Sequence, residues 1–157
     1  MTTWYGLDPA WSVPFEAQAR RQHGADLCVQ VGAQVLTYRH RGIEVPGRRE
    51  PVPVVLRFHA KPPYNTYGLT AQEFPRVHAD PGADSPHRHG DDALCLYYPE
   101  LDPSDRWTPD EGLAALVNLT RDHLFFELQW RATGAYRGGV WIAPEAPHGL
   151  PRTWCAA

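Results

Sequence analysis

The sequence has little of what marks secreted or membrane proteins. Its three cysteines are an odd number at wide spacing, with no Cys-x-x-Cys pair and no disulfide framework of a small secreted domain. No apolar run approaches the ~18 residues that span a bilayer, and the first residues lack the charged and apolar regions of a signal peptide. These absences predict reduced thiols, no membrane segment and a cytoplasmic location.

The chain also has little net charge. The formal charge is -3 and the isoelectric point lies near 6.2, so nothing in the overall charge favours nucleic acid or an anionic membrane as the main partner. With 157 residues, 43% apolar and 21% charged, the composition is that of a globular protein. We therefore expect one domain over residues 1–157.

Proline and glycine divide the chain into short segments, and regular structure is expected where they are sparse. Pro14 to His23 predicts a helix that ends at Gly24. Apolar alternation predicts strands at 27–38, 54–60 and 73–79, joined as an antiparallel meander. Residues 110–133 carry the apolar spacing of an amphipathic helix.

The start of this long helix is marked by Thr108 as the capping residue and Pro109 at the first helical position, and its end by Gly134. From about residue 135 the chain is a tail rich in Gly and Pro, with Trp141 and Trp154 as expected anchors onto the body. The predicted fold class is α+β: a helix, a meander, a long loop and a long helix.

The long loop contains Cys95. Leu94 and Leu96 on either side can be buried, whereas residues 89–92 form a polar turn, so the thiol is expected at the junction of an ordered body and an exposed loop. A nucleophile that meets large partners needs this placement, because it must be exposed and also fixed in direction. Cys28 is assigned to the core of its strand, and Cys155 is treated as incidental.

The residues around Cys95 resemble the ubiquitin-conjugating (E2-like) enzymes. That family combines a histidine, a glycine-containing turn, an aliphatic-Cys-Leu triplet and a Trp-(Ser/Thr)-Pro helix start. The matching residues here are Pro86-His87, Gly90, Leu94-Cys95-Leu96 and Trp107-Thr108-Pro109. Bacterial E2-like proteins of anti-phage (CBASS-type) operons are more similar still, through Leu94-Cys95-Leu96-Tyr97, Trp107, Trp130 and the run Thr133 to Gly138.

The resemblance implies a UBC-like fold: an N-terminal helix, an antiparallel meander of three to four strands, an active-site loop and a long C-terminal helix. It also implies that Cys95 carries the C-terminal glycine of a partner as a thioester and transfers it to an acceptor. The implied partner is a cGAS-like nucleotidyltransferase or a ubiquitin-like protein. The activated C-terminus is expected either from a separate E1-like activating enzyme or from an already activated or unusual acyl donor. No cofactor or metal is implied.

The supporting residues depart from the family pattern. His89 stands where the eukaryotic enzymes carry an asparagine, and His87 precedes Cys95 by eight residues. A backbone N–H, His87 or His89 is a candidate donor for the developing oxyanion. Asp91 and Asp92 are candidates to orient an incoming amine. Tyr97 and Trp107 are candidates for partner contact, and Trp107 also for setting the angle at which the loop enters the helix.

Three other readings use the same residues. His87, His89 and Cys95 would form a zinc site if His78 or His123 supplied a fourth ligand. A cysteine hydrolase would use His87 as the base and Asp91 or Asp92 as its orienting acid. A non-catalytic adaptor would keep the E2-like shape for binding alone.

Overall fold

The computed structural model describes residues 4–5 and 8–143. Two helices enclose a run of four strands, which form one antiparallel sheet in sequential order. The elements are α1 (Pro9–His23), β1 (Leu27–Val31), β2 (Val35–Ile43), β3 (Val52–His59), β4 (Arg76–Ala79) and α2 (Gly112–Ala132). The predicted α+β class, with an antiparallel meander between an N-terminal and a long C-terminal helix, is confirmed.

Helix α1 begins before Pro14, the predicted start. Asp8 caps the helix, since its side chain accepts a hydrogen bond from the backbone N–H of Ala10 at 3.0 Å. Pro9 follows at the first helical position, where no N–H donor is needed. Pro14 lies inside the helix. The predicted start at Pro14 was wrong, because the Asp8-Pro9 pair supplies both the capping side chain and the first-turn proline, whereas Pro14 has no capping residue before it.

The predicted single strand over 27–38 is wrong, because the segment is a hairpin. Gly32 donates its N–H to the carbonyl of Val35 at 3.0 Å, and the chain reverses between β1 and β2. The alternation of apolar and polar residues continues through the turn and so gave no sign of the reversal. Cys28 lies on the sheet face turned away from the core and is exposed. Its assignment to the core is corrected.

Strands β3 and β4 agree with two of the predicted strands, with shifted ends. The inner-facing side chains of β3 are all buried: Val52, Val54, Leu56 and Phe58. Strand β4 begins at Arg76, after the predicted first residue, because Pro75 has no N–H to give to the sheet. Alternate residues along β2, β3 and β4 therefore point to an inner face against the core and to an outer face.

The long helix is confirmed, with its first turn tightened. Residues Pro109–Glu111 form a short 3-10 helix, and α2 continues from Gly112. The N–H of Thr108 is held by the Glu111 carboxylate at 2.8 Å, which supports the predicted start. Trp107 donates its indole N–H to the Gly112 carbonyl at 3.1 Å and so fixes the angle at which the chain enters the helix.

The core lies between the inner sheet face and the two helices. Phe15 of α1 packs edge-on against Phe58 of β3 at 5.5 Å and against Trp107 at 6.4 Å. Leu113, Leu116, Val117 and Leu124 of α2 are buried in the same cluster. None of the described helices combines the length and the apolar character needed to cross a membrane.

Candidate functional site

Cys95 lies on one arm of a short hairpin formed by residues 87–95. The two arms meet through a bridge between Arg88 and Leu94, and the backbone N–H of Cys95 donates to the His87 carbonyl at 2.9 Å. Leu94 in turn donates to the carbonyl of Val77 at 2.8 Å, which joins the hairpin to β4. His87 and Cys95, far apart along the loop, are thereby placed opposite each other.

The turn of the hairpin is stabilised by its two aspartates. The Asp91 carboxylate accepts the N–H of Ala93 at 3.1 Å and contacts the Arg76 guanidinium at 3.0 Å. Asp92 adopts a positive φ of 66° and accepts from Gly82 N–H at 2.8 Å. Both acids are therefore engaged in holding the loop, and their side chains stay partly exposed, at 45% and 39%.

Cys95 itself is buried and oxidised. Its exposed fraction is 5%, and its sulfur takes part in a disulfide bond. The expectations of an exposed position and of a reduced thiol are both wrong for Cys95, because sequence spacing shows neither which cysteines meet in space nor what covers them. Cys28 is the free cysteine among the described residues. Cys155 lies outside the described residues.

Among residues 4–5 and 8–143, Trp141 packs over the His87 side of the hairpin. Its ring lies 4.4 Å from the His87 ring and 5.1 Å from the His123 ring, centroid to centroid, and also contacts Phe126. The prediction that Trp141 anchors the tail onto the body is confirmed, whereas Trp154 lies outside the described residues. His87 is 7% exposed beneath this contact. Access to the His87 side of the hairpin therefore depends on the position of Trp141.

His89 occupies an apolar environment. It is 9% exposed, its ring packs against Phe74 at 5.8 Å, and it lines a small pocket with Leu94 and Leu116. An oxyanion would have to enter this pocket to be stabilised by the His89 side chain. Of the two predicted histidines, His87 is therefore the one whose backbone the structure pairs with Cys95.

Tyr97 and Trp107, predicted as partner-contact residues, both belong to the core. Tyr97 is 9% exposed and donates its hydroxyl to the Glu73 carbonyl, and burial strongly raises its pKa. Trp107 is 4% exposed. The alternative expectation for Trp107, that it sets the entry into the helix, agrees with its hydrogen bond to Gly112. Neither side chain is available to a partner in this structure.

Sequence reasoning missed the charged cluster that attaches the hairpin to α2. Glu127, fully buried on α2, accepts hydrogen bonds from Arg88 of the hairpin at 3.0 Å and from Arg131 at 3.2 Å. His123, one turn earlier, lies 3.0 Å from the same carboxylate. The spacing His123, Glu127, Arg131 was the available signal, since residues four apart share one helix face.

The pKa of Glu127 reflects this crowding of positive groups. Burial acts to raise the pKa, but the hydrogen bond from His123 and the nearby charges of His123 and Arg88 outweigh burial and lower it. The carboxylate thus stays ionised in the interior. Arg88 also donates to the Asp80 carbonyl and to Asp92, so one side chain joins the hairpin, the end of β4 and α2.

The zinc and hydrolase readings gain no support from this geometry. Among residues 4–5 and 8–143, no group of three His, Cys, Asp or Glu side chains converges as metal ligands would. The hydrolase reading requires Asp91 or Asp92 beside His87, and both carboxylates are bound elsewhere.

Comparison of the chain with protein family models, with curated proteins and with solved structures finds no match.

Proposed function

We propose that the protein is an E2-like conjugating enzyme with a UBC-like fold. In this proposal the reduced Cys95 thiol accepts the C-terminal glycine of a partner as a thioester and passes it to an acceptor nucleophile. The partner is a cGAS-like nucleotidyltransferase or a ubiquitin-like protein, the setting is bacterial anti-phage defence, and the compartment is the cytoplasm.

The observation that carries the proposal is the pairing of Cys95 with His87 across a hairpin anchored at both ends. The N–H of Cys95 donates to the His87 carbonyl at 2.9 Å, and Arg88 between them is tied to Glu127 of α2. A nucleophile on a hairpin fixed to the sheet and to a helix has a defined direction. A titratable imidazole lies on the facing arm.

The order of elements supports the same conclusion. A helix, an antiparallel meander, the Cys95 segment and a long helix follow one another as the resemblance to the conjugating enzymes implies. The Trp107-Thr108-Pro109 segment marks the entry to the long helix, where its hydrogen bonds fix the first turn.

The chemistry is acyl transfer through sulfur. The Cys95 thiolate attacks the carbonyl carbon of an activated C-terminal glycine, a C–S bond forms, and the activating group leaves with its electron pair. An amine or thiol of the acceptor then attacks the thioester, and Cys95 leaves as a thiolate that regains a proton. Activation of the C-terminus is the task of a separate activating enzyme.

The proposal also defines what must change before the reaction. The disulfide at Cys95 must be reduced, which the thiol pool of the cytoplasm favours. Trp141 covers the ring of His87 on the facing arm, so a partner that uses His87 must also displace Trp141.

The test is formation of a thiol-sensitive adduct. The protein, reduced with a phosphine so that thioesters survive, is incubated with the partner, activating enzyme and ATP, and separated on a nonreducing gel. We expect an adduct that disappears with dithiothreitol, is absent in Cys95→Ala and is retained in Cys28→Ala, the matched control with an exposed thiol. An adduct that persists in Cys95→Ala contradicts the proposal.

A further inference from the structure

The sheet of this net-acidic protein is itself strongly basic. The four strands contain four arginines and no Asp or Glu, although the whole chain carries a formal charge of -3. Arg57 and His59 of β3 and Arg76 and His78 of β4 alternate with buried apolar residues and so share the outer face. This face of the sheet therefore differs in charge from the protein as a whole.

Two of these arginines face each other. Arg57 and Arg76 are direct partners in the pairing of β3 with β4. Like charges opposite each other on adjacent strands repel and destabilise the pair. The carboxylate that offsets them is Asp91 of the hairpin, which contacts Arg76 at 3.0 Å. One positive charge of the pair is left without a carboxylate among the described residues.

Arg76 is buried but has hydrogen-bonding capacity left. Its side chain is 3% exposed, its Nε donates to Asp91, and its guanidinium lies 3.8 Å from the centre of the Tyr64 ring. The Nη1 atom is buried and has no hydrogen-bond partner among the described residues. A buried guanidinium donor without an acceptor is costly, and a bound anion would satisfy it.

His78 of β4 contacts Arg57 of the neighbouring strand. Arg57 Nη1 lies 3.2 Å from His78 Nδ1, and His78 Nε2 lies 3.1 Å from the Asp91 carbonyl. Because a guanidinium can only donate, Nδ1 accepts and the proton of His78 is on Nε2, where it is donated to the carbonyl. The His78 ring therefore positions the Arg57 guanidinium.

His59 completes the group from the end of β3. It is half-buried, and its ring packs edge-on against Tyr64 at 5.5 Å. Burial and the charges of Arg57 and Arg76 lower its pKa. An anion bound beside it would remove part of that repulsion and favour its protonated form.

We propose that Arg57, Arg76 and His59 form a binding site for a phosphate monoester group on the outer face of the sheet, with Tyr64 as one wall. The two guanidinium groups supply charge-assisted donors. Arg57 and Arg76 against Asp91 leave one net positive charge, and protonation of His59 adds a second. This matches the charge of about -1.5 to -2 on a phosphate monoester at neutral pH. The site goes beyond the proposed acyl transfer and uses none of the residues assigned to it.

The experiment is a titration of the full chain with inorganic phosphate at constant ionic strength, followed by calorimetry and by the histidine ring resonances. We expect saturable binding to one site, with a rise in the pKa of His59. Arg57→Gln should weaken binding by about tenfold, the loss of a charge-assisted hydrogen bond. Arg21→Gln, an exposed charge on α1, and Arg39→Gln, on the same sheet face, should leave binding unchanged.

Three outcomes would overturn the site: no saturable binding, binding that survives Arg57→Gln, or equal weakening by Arg39→Gln, which would indicate a diffuse basic surface. A nucleoside monophosphate and a phosphoserine peptide then distinguish the sources of the group. The one that displaces phosphate and binds more tightly, with the same dependence on Arg57, identifies the ligand. If neither does so, the site binds inorganic phosphate alone and the assignment to a monoester group is overturned.

Discussion

The hairpin at 87–95 is held by buried arginines of two kinds. Arg88 donates to the Glu127 carboxylate, to Asp92 and to the Asp80 carbonyl, so its guanidinium is surrounded by acceptors. Arg76 has one carboxylate, the partly exposed Asp91, and faces a second arginine, Arg57. The side chains of Arg88 and Arg76 are 6% and 3% exposed, so burial alone does not separate them.

The difference lies in how completely each arginine is paired. A guanidinium has five N–H donors. When most of these donors are hydrogen-bonded to protein acceptors, the arginine links the elements that carry those acceptors. An arginine with an unpaired N–H donor and an uncompensated positive charge can bind an anionic ligand. We therefore infer that the Arg88 cluster holds the Cys95 hairpin in position. The Arg57 and Arg76 pair is instead the proposed anion-binding site.

The largest expected effect comes from removing the buried carboxylate. Glu127→Gln keeps the shape of the side chain but leaves Arg88 and Arg131 without their shared negative charge. We expect the free energy of unfolding to fall by about 3 to 5 kcal/mol, the usual cost of breaking a buried ion pair from one side. Denaturant unfolding measures this loss.

The matched control is Asp122→Asn, which removes an exposed acid from the same helix and should change stability by less than about 0.5 kcal/mol. If Glu127→Gln proved as mild as the control, Arg88 would not be the support we infer, and the contrast between the two arginines would disappear.

The second effect is a pH dependence that belongs to Glu127. Because its folded-state pKa is lowered, the stability it contributes is complete above the unfolded value of about 4.3 and is lost as the pH falls below it. The stability difference between wild type and Glu127→Gln should therefore narrow between pH 5 and pH 3. A difference that widens with acid would mean that Glu127 binds its proton in the folded state.

The smallest effect is expected from Arg57→Gln. The substitution removes a charge that faces Arg76, so relief of repulsion offsets the lost contact with His78. We expect a change in unfolding free energy within about 0.5 kcal/mol of zero. If the unfolding free energy instead fell by about 2 kcal/mol or more, Arg57 would be a structural arginine like Arg88.

Local sequence patterns predicted the α+β class, the long helix and the approximate positions of β3 and β4, because each depends on side chains close together in the chain. The turn at 32–34 escaped notice because alternation continues through it, and Cys28 was misplaced with it. The cluster around Glu127 joins residues 39 positions apart, Arg88 and Glu127, and no local pattern shows that meeting. The burial of Cys95 likewise depends on contacts distant in sequence.

The sequence predicted the candidate site only in part. The sequence singled out Cys95 and His87, and the structure places them opposite each other on one hairpin. It assigned Tyr97 and Trp107 to partner contact, whereas both side chains are buried in the core. Asp91 and Asp92 hold the loop, and their role toward an amine stays a prediction. Residue type shows what chemistry a side chain is capable of, but only its neighbours show whether that capacity is already used.

The most direct measurement of the central claim is the trapping of the acyl group on oxygen. Cys95→Ser, incubated with the partner, its activating enzyme and ATP, should form an oxyester that resists dithiothreitol. Peptide mass spectrometry should locate the partner's C-terminal glycine on residue 95. Two results would contradict the role of Cys95 as the carrier. One is an acyl group found on Cys28 instead. The other is no acylated Cys95→Ser, together with an adduct that still forms in Cys95→Ala.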